Sequence, residues 1–421
     1  MKVIIIGGWA GCAAALTAKK AGAEVHIYEK TDLLLGLGNV GGIMRNNGRY
    51  TAAEELIALG GGDLIKLTDK CARHKDIDFP GHKHATLYDV NKIEGVVRDY
   101  LKEKGINLHM EKRVMDVDFE NNKINGLLLS DYTYVKGDVF IETTGTTGPM
   151  GNCLRYGNGC SMCILRCPAF GPRISISARC GVSDIQGERN DDVLGAFSGS
   201  CKLAKESLSD DIRNKLDKDG VVVLRVPAED INYGKLNTKV CQQYALKEFA
   251  ENVVLLDTGH AKLMTTYYPL EKLRKIPGLE HAKYVDPYAG SKGNSIRYLS
   301  VAPRTNDMKV VGVDNLFCAG EKSGLFVGHT EAICTGSLAG HNAVRLMIGM
   351  HLLIFPSSIA IGDLIAYENE KAETREGRTD RYTFAGASYF KRMQELGLYI
   401  LGTRRETVSY IVYLLIGLVG V

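Results

Sequence analysis

Four cysteines near the middle of the chain, Cys153, Cys160, Cys163 and Cys167, are the residues whose spacing says most about chemistry. The last three, followed by Pro168, reproduce the C-x2-C-x3-C-P end of an iron–sulfur ligand run, with Gly157 standing where the first cysteine of that run would be. Four uses of these thiols are open. Cys153 or Cys180 can supply a fourth thiolate to Cys160, Cys163 and Cys167, giving a 4Fe–4S cluster that relays single electrons. Cys160 and Cys163 can instead serve as a catalytic C-x-x-C dithiol that attacks a disulfide or exchanges electrons with a cofactor. The same side chains suit a tetrahedral zinc ion, or they are plain reduced thiols. The remaining cysteines (Cys12, Cys71, Cys201, Cys241, Cys318, Cys334) read as core residues.

A second set of residues lies at the N-terminus. Val3-Ile4-Ile5-Ile6 is an unbroken apolar run, the pattern of a strand buried on both faces of a parallel sheet. It passes into Gly7-Gly8-Trp9-Ala10-Gly11, then a small-residue helix ending at Gly22, then a strand from Glu24 to Tyr28 that finishes in Glu29-Lys30. Strand, glycine turn, helix, strand and acid form a dinucleotide-binding unit. The glycines allow a pyrophosphate to approach the backbone, the helix N-terminus offers free N–H groups, and Glu29 is placed to accept from a ribose. The first glycine of the usual six-residue pattern falls on Ile6. Either the turn is one residue shorter, or Gly7 takes that role by a shifted path.

The elements that must position these groups follow in order. Leu33 to Gly42 is a glycine-rich loop able to close over a cofactor. Helices are expected over Tyr50–Leu59 and Asn91–Lys104, strands over Ile106–Met110, Val114–Phe119, Lys123–Leu129 and Val135–Glu142. The last ends in Thr143-Thr144-Gly145-Thr146-Thr147-Gly148, a return to the cofactor through Gly145. Near the other end Val310 to Cys318 leads into Ala319-Gly320-Glu321. There an acid suits a ribityl hydroxyl and a glycine permits close backbone approach. The helix from Gly328 to Arg345 would point its positive end at a flavin ring. Without a second complete glycine fingerprint, one tightly held FAD is expected, with NAD(P)H at most a transient reductant. Among histidines, His329 is a candidate ring donor, a cap or a packing residue, His260 a turn residue, and His82 and His84, with Lys83, solvated loop residues. Arg166 and Arg173 are candidate anion ligands or ordinary surface arginines.

Composition bounds the class. With 421 residues, 45% apolar and 24% charged, the chain is an ordinary globular protein of two or three domains. A net charge of +3 gives no argument for nucleic acid, though a local basic patch is compatible with it. With the first strand beginning at Val3 no signal peptide is expected, and eleven cysteines without one suggest reduced thiols in the cytoplasm. Thr407 to Val421 is apolar but short for a membrane span, which needs about 20 residues; a buried C-terminal helix is expected and no integral span.

The residues also resemble the GidA/MnmG family of FAD proteins, which modify the wobble uridine of transfer RNA with a partner GTPase. The likeness runs through Gly41-Gly42-Ile43, Ala58-Leu59-Gly60-Gly61 and Thr144-Gly145-Thr146. It continues through Gly171-Pro172-Arg173-Ile174, Met264 to Tyr288 with Ile276-Pro277-Gly278-Leu279, and Ala319-Gly320-Glu321 to Ala339-Gly340. Thr383-Phe384 and Tyr389 to Arg392 echo a later motif. The family's long C-terminal helical part has no counterpart here, and the shorter folate-dependent uridine methyltransferase TrmFO is a more distant likeness. The resemblance implies the fold and FAD.

The resulting expectation is an α/β chain. A Rossmann-like, glutathione-reductase-like FAD-binding domain (1–150 plus 298–345) carries an inserted α+β substrate and cysteine domain (151–297) and a short helical C-terminal segment (346–421). FAD would be held by Gly7, Gly8, Gly11, Glu29, Lys30, Gly145, Gly320, Glu321 and Gly328. The expected activity is a cytoplasmic FAD-dependent oxidoreductase working with a small-molecule or protein redox partner, in a possible homodimer. Transfer-RNA modification and non-catalytic electron relay are the alternatives.

Overall fold

The computed structural model describes residues 1–145, 174–189, 196–198, 201–265, 268–285, 295–297 and 299–401. Cys153, Cys160, Cys163 and Cys167, Arg166 and Arg173, and the apolar tail from Thr407 lie outside the described residues. In the first third, β1 (Lys2–Ile6), α1 (Gly8–Lys20) and β2 (Glu24–Tyr28) are followed by β3 (Ile43–Met44), α2 (Gly48–Ala58) and α3 (Asp63–Lys70). Then come β4 (Ala72–Phe79), β5 (His82–Tyr88), α4 (Ile93–Glu103), β6 (Asn107–His109), β7 (Val114–Glu120), β8 (Lys123–Leu129), β9 (Tyr134–Lys136) and β10 (Val139–Glu142). The middle supplies β11 (Cys201–Leu203), α5 (Asp210–Asp219), β12 (Val221–Arg225), β13 (Asn252–Asp257) and β14 (Ala261–Leu263). The last part adds β15 (Leu316–Cys318), α6 (His329–Met347), α7 (Ala360–Lys371) and α8 (Ala387–Glu395).

The central sheet has the order β15-β10-β1-β2-β6 and is parallel throughout. Alternation along β1 explains the unbroken apolar run. Val3 and Ile5 face the core built with α1 and α6, while Ile4 and Ile6 face the antiparallel meander β7-β8-β9. A strand covered on both sides has no polar face to show. On the helical side α1 and α6 cross at backbone contact. A Cβ on Gly336 would lie 2.2 Å from the Ala10 carbonyl oxygen, and one on Gly340 would lie 2.1 Å from that of Ala14. Thr17 Oγ1 donates to Ser337 O at 3.0 Å across the same crossing. The small residues of both helices are thus a packing requirement of the crossing.

The C-terminal segment joins this same core through Ile361 and Leu364 of α7, Tyr389 of α8, and Tyr382 and Phe384 between them. The Glu55 carboxylate accepts from Ala360 N and Ile361 N, satisfying the first amides of α7. The middle of the chain forms its own antiparallel sheet, β11-β14-β13-β12, against α5. Ser209 caps α5 by accepting from Ile212 N at 3.4 Å, Asp210 and Asp211 follow in its first turn, and Gly220 ends it with φ 76°. The other face of that sheet packs on β3-β5-β4 through Ile43, Leu87, Val254 and Leu256.

Two expectations are corrected. Residues 135–142 do not form one strand: β9 and β10 are separated at Gly137-Asp138, where a Cβ on Gly137 would meet Ile4 Cγ1 at 2.5 Å. The chain changes sheets there because only a bare backbone fits over β1. His82 is not a solvated loop residue. It begins β5 at 1% exposure, pairs with Asn46 Nδ2 at 2.9 Å and bonds to Gln243 O at 3.0 Å. Lys83 is exposed, as expected, and His84 is partly so, but both lie in β5 and not in a loop. Among the described residues no helix is long and apolar enough to cross a membrane.

Candidate dinucleotide site

β1 ends at Ile6 and α1 begins at Gly8, so a single residue makes the turn. Gly7 and Gly8 both have positive φ, 73° and 69°. Two consecutive residues in the left-handed region replace the first glycine of the usual pattern, and Ile6 stays in the strand as a core residue. A Cβ on Gly8 would lie 2.9 Å from Thr143 O, and one on Gly11 would lie 2.7 Å from Thr143 Oγ1. Gly11 therefore serves helix–strand packing at the end of β10, while Gly7 and Gly8 keep backbone bare toward the opening.

An open cleft lies over the C-terminal ends of β1, β2 and β10, the crevice where open parallel sheets take ligands. Its walls are Ile6, Gly7, Gly8, Tyr28, Glu29, Lys30, Gly36, Lys112, Arg113, Val114, Thr143, Thr144 and Ile174. Four predicted residues, Gly7, Gly8, Glu29 and Lys30, are among them; Gly11, Gly145, Gly320, Glu321 and Gly328 are not. Glu29 is 6% exposed and accepts from Gly8 N at 3.3 Å and Thr31 N at 3.2 Å. Burial lifts its pKa, against the pull of those two amides. A buried carboxylate with spare lone pairs beside a bare glycine turn is what a ribose diol requires.

Gly320 and Gly328 lie on the α6 side of the turn. Gly320 has φ 67°, and its Cβ would meet the Ala10 Cβ at 3.0 Å; its amide donates to Thr335 Oγ1 at 2.9 Å. Gly328 precedes α6 with φ 148°, and a Cβ there would meet Arg49 Nη2 at 2.0 Å and Glu331 Oε2 at 2.1 Å. Arg49 and Glu331 form a buried pair, 3% and 0% exposed, with Nε 3.1 Å from both carboxylate oxygens. Thr383 Oγ1 and Phe384 N also donate to Glu331, at 2.7 and 2.9 Å. The start of α6 is thereby fixed to α2 and to the C-terminal segment. Neither residue stands out in the sequence, because they are 282 positions apart.

The loop Leu33 to Gly42 folds into a helical turn over Gly38–Gly41, packed on Trp9. Trp9 stacks on Tyr88 and meets His329 edge-on, and Tyr88 OH donates to Gly38 O at 2.7 Å. Trp9 Nε1 is buried with no hydrogen-bond partner. Of the cysteines expected to be core residues, Cys12, Cys318 and Cys334 are buried, with thiol pKa values raised by burial, Cys318 to about 12, whereas Cys71 and Cys241 are only partly buried at the edge of the core. Cys180 is likewise a buried thiol, at about 12. Among the described residues no group of three or more His, Cys, Asp or Glu side chains could hold a metal.

Fold and cleft define an α/β protein with a dinucleotide-binding unit at its N-terminus. The family model of "Glucose inhibited division protein A" matches residues 2–252 and 238–351, and the chain belongs to that family. It is 25% identical over 418 residues to the tRNA uridine 5-carboxymethylaminomethyl modification enzyme MnmG of Clostridium novyi, with 86% of this chain and 64% of that one covered. It is also 35% identical over 97 residues to the methylenetetrahydrofolate–tRNA-(uracil-5-)-methyltransferase TrmFO of Bacillus subtilis, covering 23% of this chain and 22% of that one. The chain thus spans less than two thirds of either relative. The solved structure of Aquifex aeolicus GidA superposes with a TM-score of 0.62 at 17% identity, covering 98% of this chain and 75% of that one, a likeness of fold.

Proposed function

We propose that the chain binds FAD and acts on a uridine of transfer RNA. The observation that carries the flavin is the cleft: two positive-φ glycines, the N-terminus of α1 and the buried Glu29 meet where a dinucleotide's pyrophosphate and ribose would lie. Cβ atoms on Gly7 and Gly8 would crowd Glu29 Oε2 and Thr143 O, two walls of the cleft, so the bare backbone there fits such a group. FAD, when bound, supplies two-electron hydride exchange. Gly7 and Gly8 would offer backbone to the pyrophosphate, Glu29 would orient the ribose, and Lys30, Lys112 and Arg113 would place positive charge along the cleft. Gly145, Gly320 and Glu321 would reach the ribityl half, and the first turn of α6 at Gly328 would present its positive end to the ring.

Transfer RNA enters through family membership and the names of both relatives. A gel shift with transfer RNA tests it. Binding that weakens steeply with salt supports the reading, because phosphate contacts release counterions, and no binding at low salt removes it. The broader proposal, an FAD oxidoreductase whose partner is the cysteine centre, rests on the spacing of Cys153, Cys160, Cys163 and Cys167. Iron, sulfide and zinc analysis of anaerobically purified protein decides it: about four irons per chain support the cluster, and neither metal removes it and leaves Cys160 and Cys163 as a dithiol or as plain thiols. The division into 1–150 plus 298–345, 151–297 and 346–421 is part of the same proposal, and limited proteolysis tests it.

A further inference from the structure

β2 and the edge strand β6 set three near-parallel rings beside the cleft. Tyr28 and His109 are cross-strand partners, and their rings stack with centroids 4.4 Å apart at 8°. His26, two residues before Tyr28, points to the same face. Its ring lies at 8° to that of His109, with centroids 5.2 Å apart and Nδ1 2.9 Å from His109 Nε2. The two imidazoles therefore meet edge to edge through one hydrogen bond. On its other side His26 Nε2 donates to Glu24 Oε1 at 2.7 Å. The row ends at the dinucleotide cleft: Tyr28, 6% exposed, is one of its walls, and Glu29 N donates to His109 O at 2.9 Å. His109 thus touches one cleft residue with its ring and the next with its backbone.

Only one proton fits between the two imidazoles. With Nε2–H given to Glu24, neutral His26 leaves Nδ1 to accept from His109 Nε2; charged His26 reverses the bond and donates to it. Both arrangements keep the contact. A second proton sets N–H against N–H and two cations edge to edge, so the contact must open. The surrounding charges fix the order. Glu24, held low by its hydrogen bond from His26, supports the first charge on that ring. Burial, the charge of His26, Lys2 on β1 and Lys112 after β6 all hold His109 below the ordinary histidine value. The amino terminus lies near Glu24, Asp131 pairs with Lys112, and the Tyr28 phenol, raised by burial, stays neutral. The contact is intact above about 6.5 and is lost as pH falls through the lower value of His109.

We propose that His26 and His109 are positioning residues of the dinucleotide cleft, and that a second proton on the pair weakens FAD binding by releasing Tyr28 and Glu29. The choice of FAD as ligand rests on the flavin reading above; the pairing of the rings does not. Linkage runs both ways, so FAD binding should expel the second proton.

The test is fluorescence titration of the full chain with FAD at about pH 7.5 and about pH 5, in the wild type, His26→Gln and His109→Phe. One linked proton raises the wild-type dissociation constant by up to about tenfold per pH unit below the His109 value. Glutamine offers His109 both an N–H and a C=O, so its contact survives either proton state. Phenylalanine keeps the stack on Tyr28 and takes no proton. Glu29, raised by burial, titrates in all three proteins, so the measured quantity is the excess of the wild-type fall over that of the variants. An excess of at least about threefold is expected. If the variants do not fold, the histidine ring resonances of the wild type are followed by NMR. The pair should titrate in two steps more than about one pH unit apart, and saturating FAD should move the lower step further down. An equal fall in wild type and folded variants, or a lower step that FAD does not move, overturns the proposal while leaving the flavin reading intact. FAD uptake at neither pH overturns the flavin reading and the coupling with it.

Discussion

Replacing Arg49 by methionine should unfasten the start of α6 from α2. The guanidinium bridges both oxygens of Glu331 at 3.1 Å, donates to Val327 O at 2.8 Å, and is 3% exposed. Methionine fills most of the volume but leaves Glu331, 0% exposed, without its counter-charge. Breaking one side of a buried pair costs about 3–5 kcal/mol. Thr383 Oγ1 and Phe384 N continue to donate to the carboxylate, which places the expectation at the lower end, about 3 kcal/mol. With an unfolding entropy of about 2.1 cal/mol/K per residue, a cooperative unit the size of this chain would lose roughly 3–4 °C in Tm, and a smaller unit more. Glu331→Gln removes the charge from the other side, so the double variant should recover part of the loss. Urea unfolding followed by circular dichroism gives the four free energies, with a coupling of about 2 kcal/mol expected from the cycle. An Arg49→Met loss below about 1 kcal/mol, or strict additivity with Glu331→Gln, would refute the reasoning that this pair fixes α6.

Glu29→Gln should weaken FAD binding roughly 10- to 100-fold, the value of one or two hydrogen bonds to a charged acceptor, measured by fluorescence titration. In the cofactor-free protein the same change should stabilise at neutral pH. The Glu29 pKa is raised by burial, so the carboxylate favours folding only while protonated and costs stability as pH rises through its folded value. The gain should vanish in acid. His82 behaves oppositely: burial and the Arg49 charge hold it down to about 3, so it favours folding above its ordinary value of about 6.5 and loses that contribution as pH falls toward 3. Acid unfolding should steepen by up to about 1.4 kcal/mol per pH unit in that window, and His82→Gln should flatten it. Gly340→Val would drive a side chain into the Ala14 carbonyl and should cost about 1–3 kcal/mol or more, read by urea midpoint.

The parallel sheet and its first unit are legible because β1 and β2 carry local signals: a short apolar run, a glycine turn, a terminal acid. β2 falls on Glu24–Tyr28, as its pattern predicts, and β7 and β8 pair around the Glu120-Asn121-Asn122 turn. What was not legible depends on contacts distant in sequence. Nothing local marks His82 as buried, since its cover comes from Asn46, Gln243 and Tyr244. Gly137 breaks a strand for a reason that lies in Ile4. Of the cleft, the glycines and Glu29 could be named in advance. Lys112 and Arg113 could not, because they are placed by the strand ends over which the sheet opens.

The most direct measurement is the flavin content of the purified full chain, by visible absorption and by FAD titration, for the wild type and for Gly8→Val. About one FAD per chain in the wild type, sharply reduced in a folded Gly8→Val protein whose side chain meets Thr143 O, is the result expected. Wild-type protein that takes up no FAD on reconstitution, or a Gly8→Val protein that binds it equally well, would contradict the assignment of the cleft.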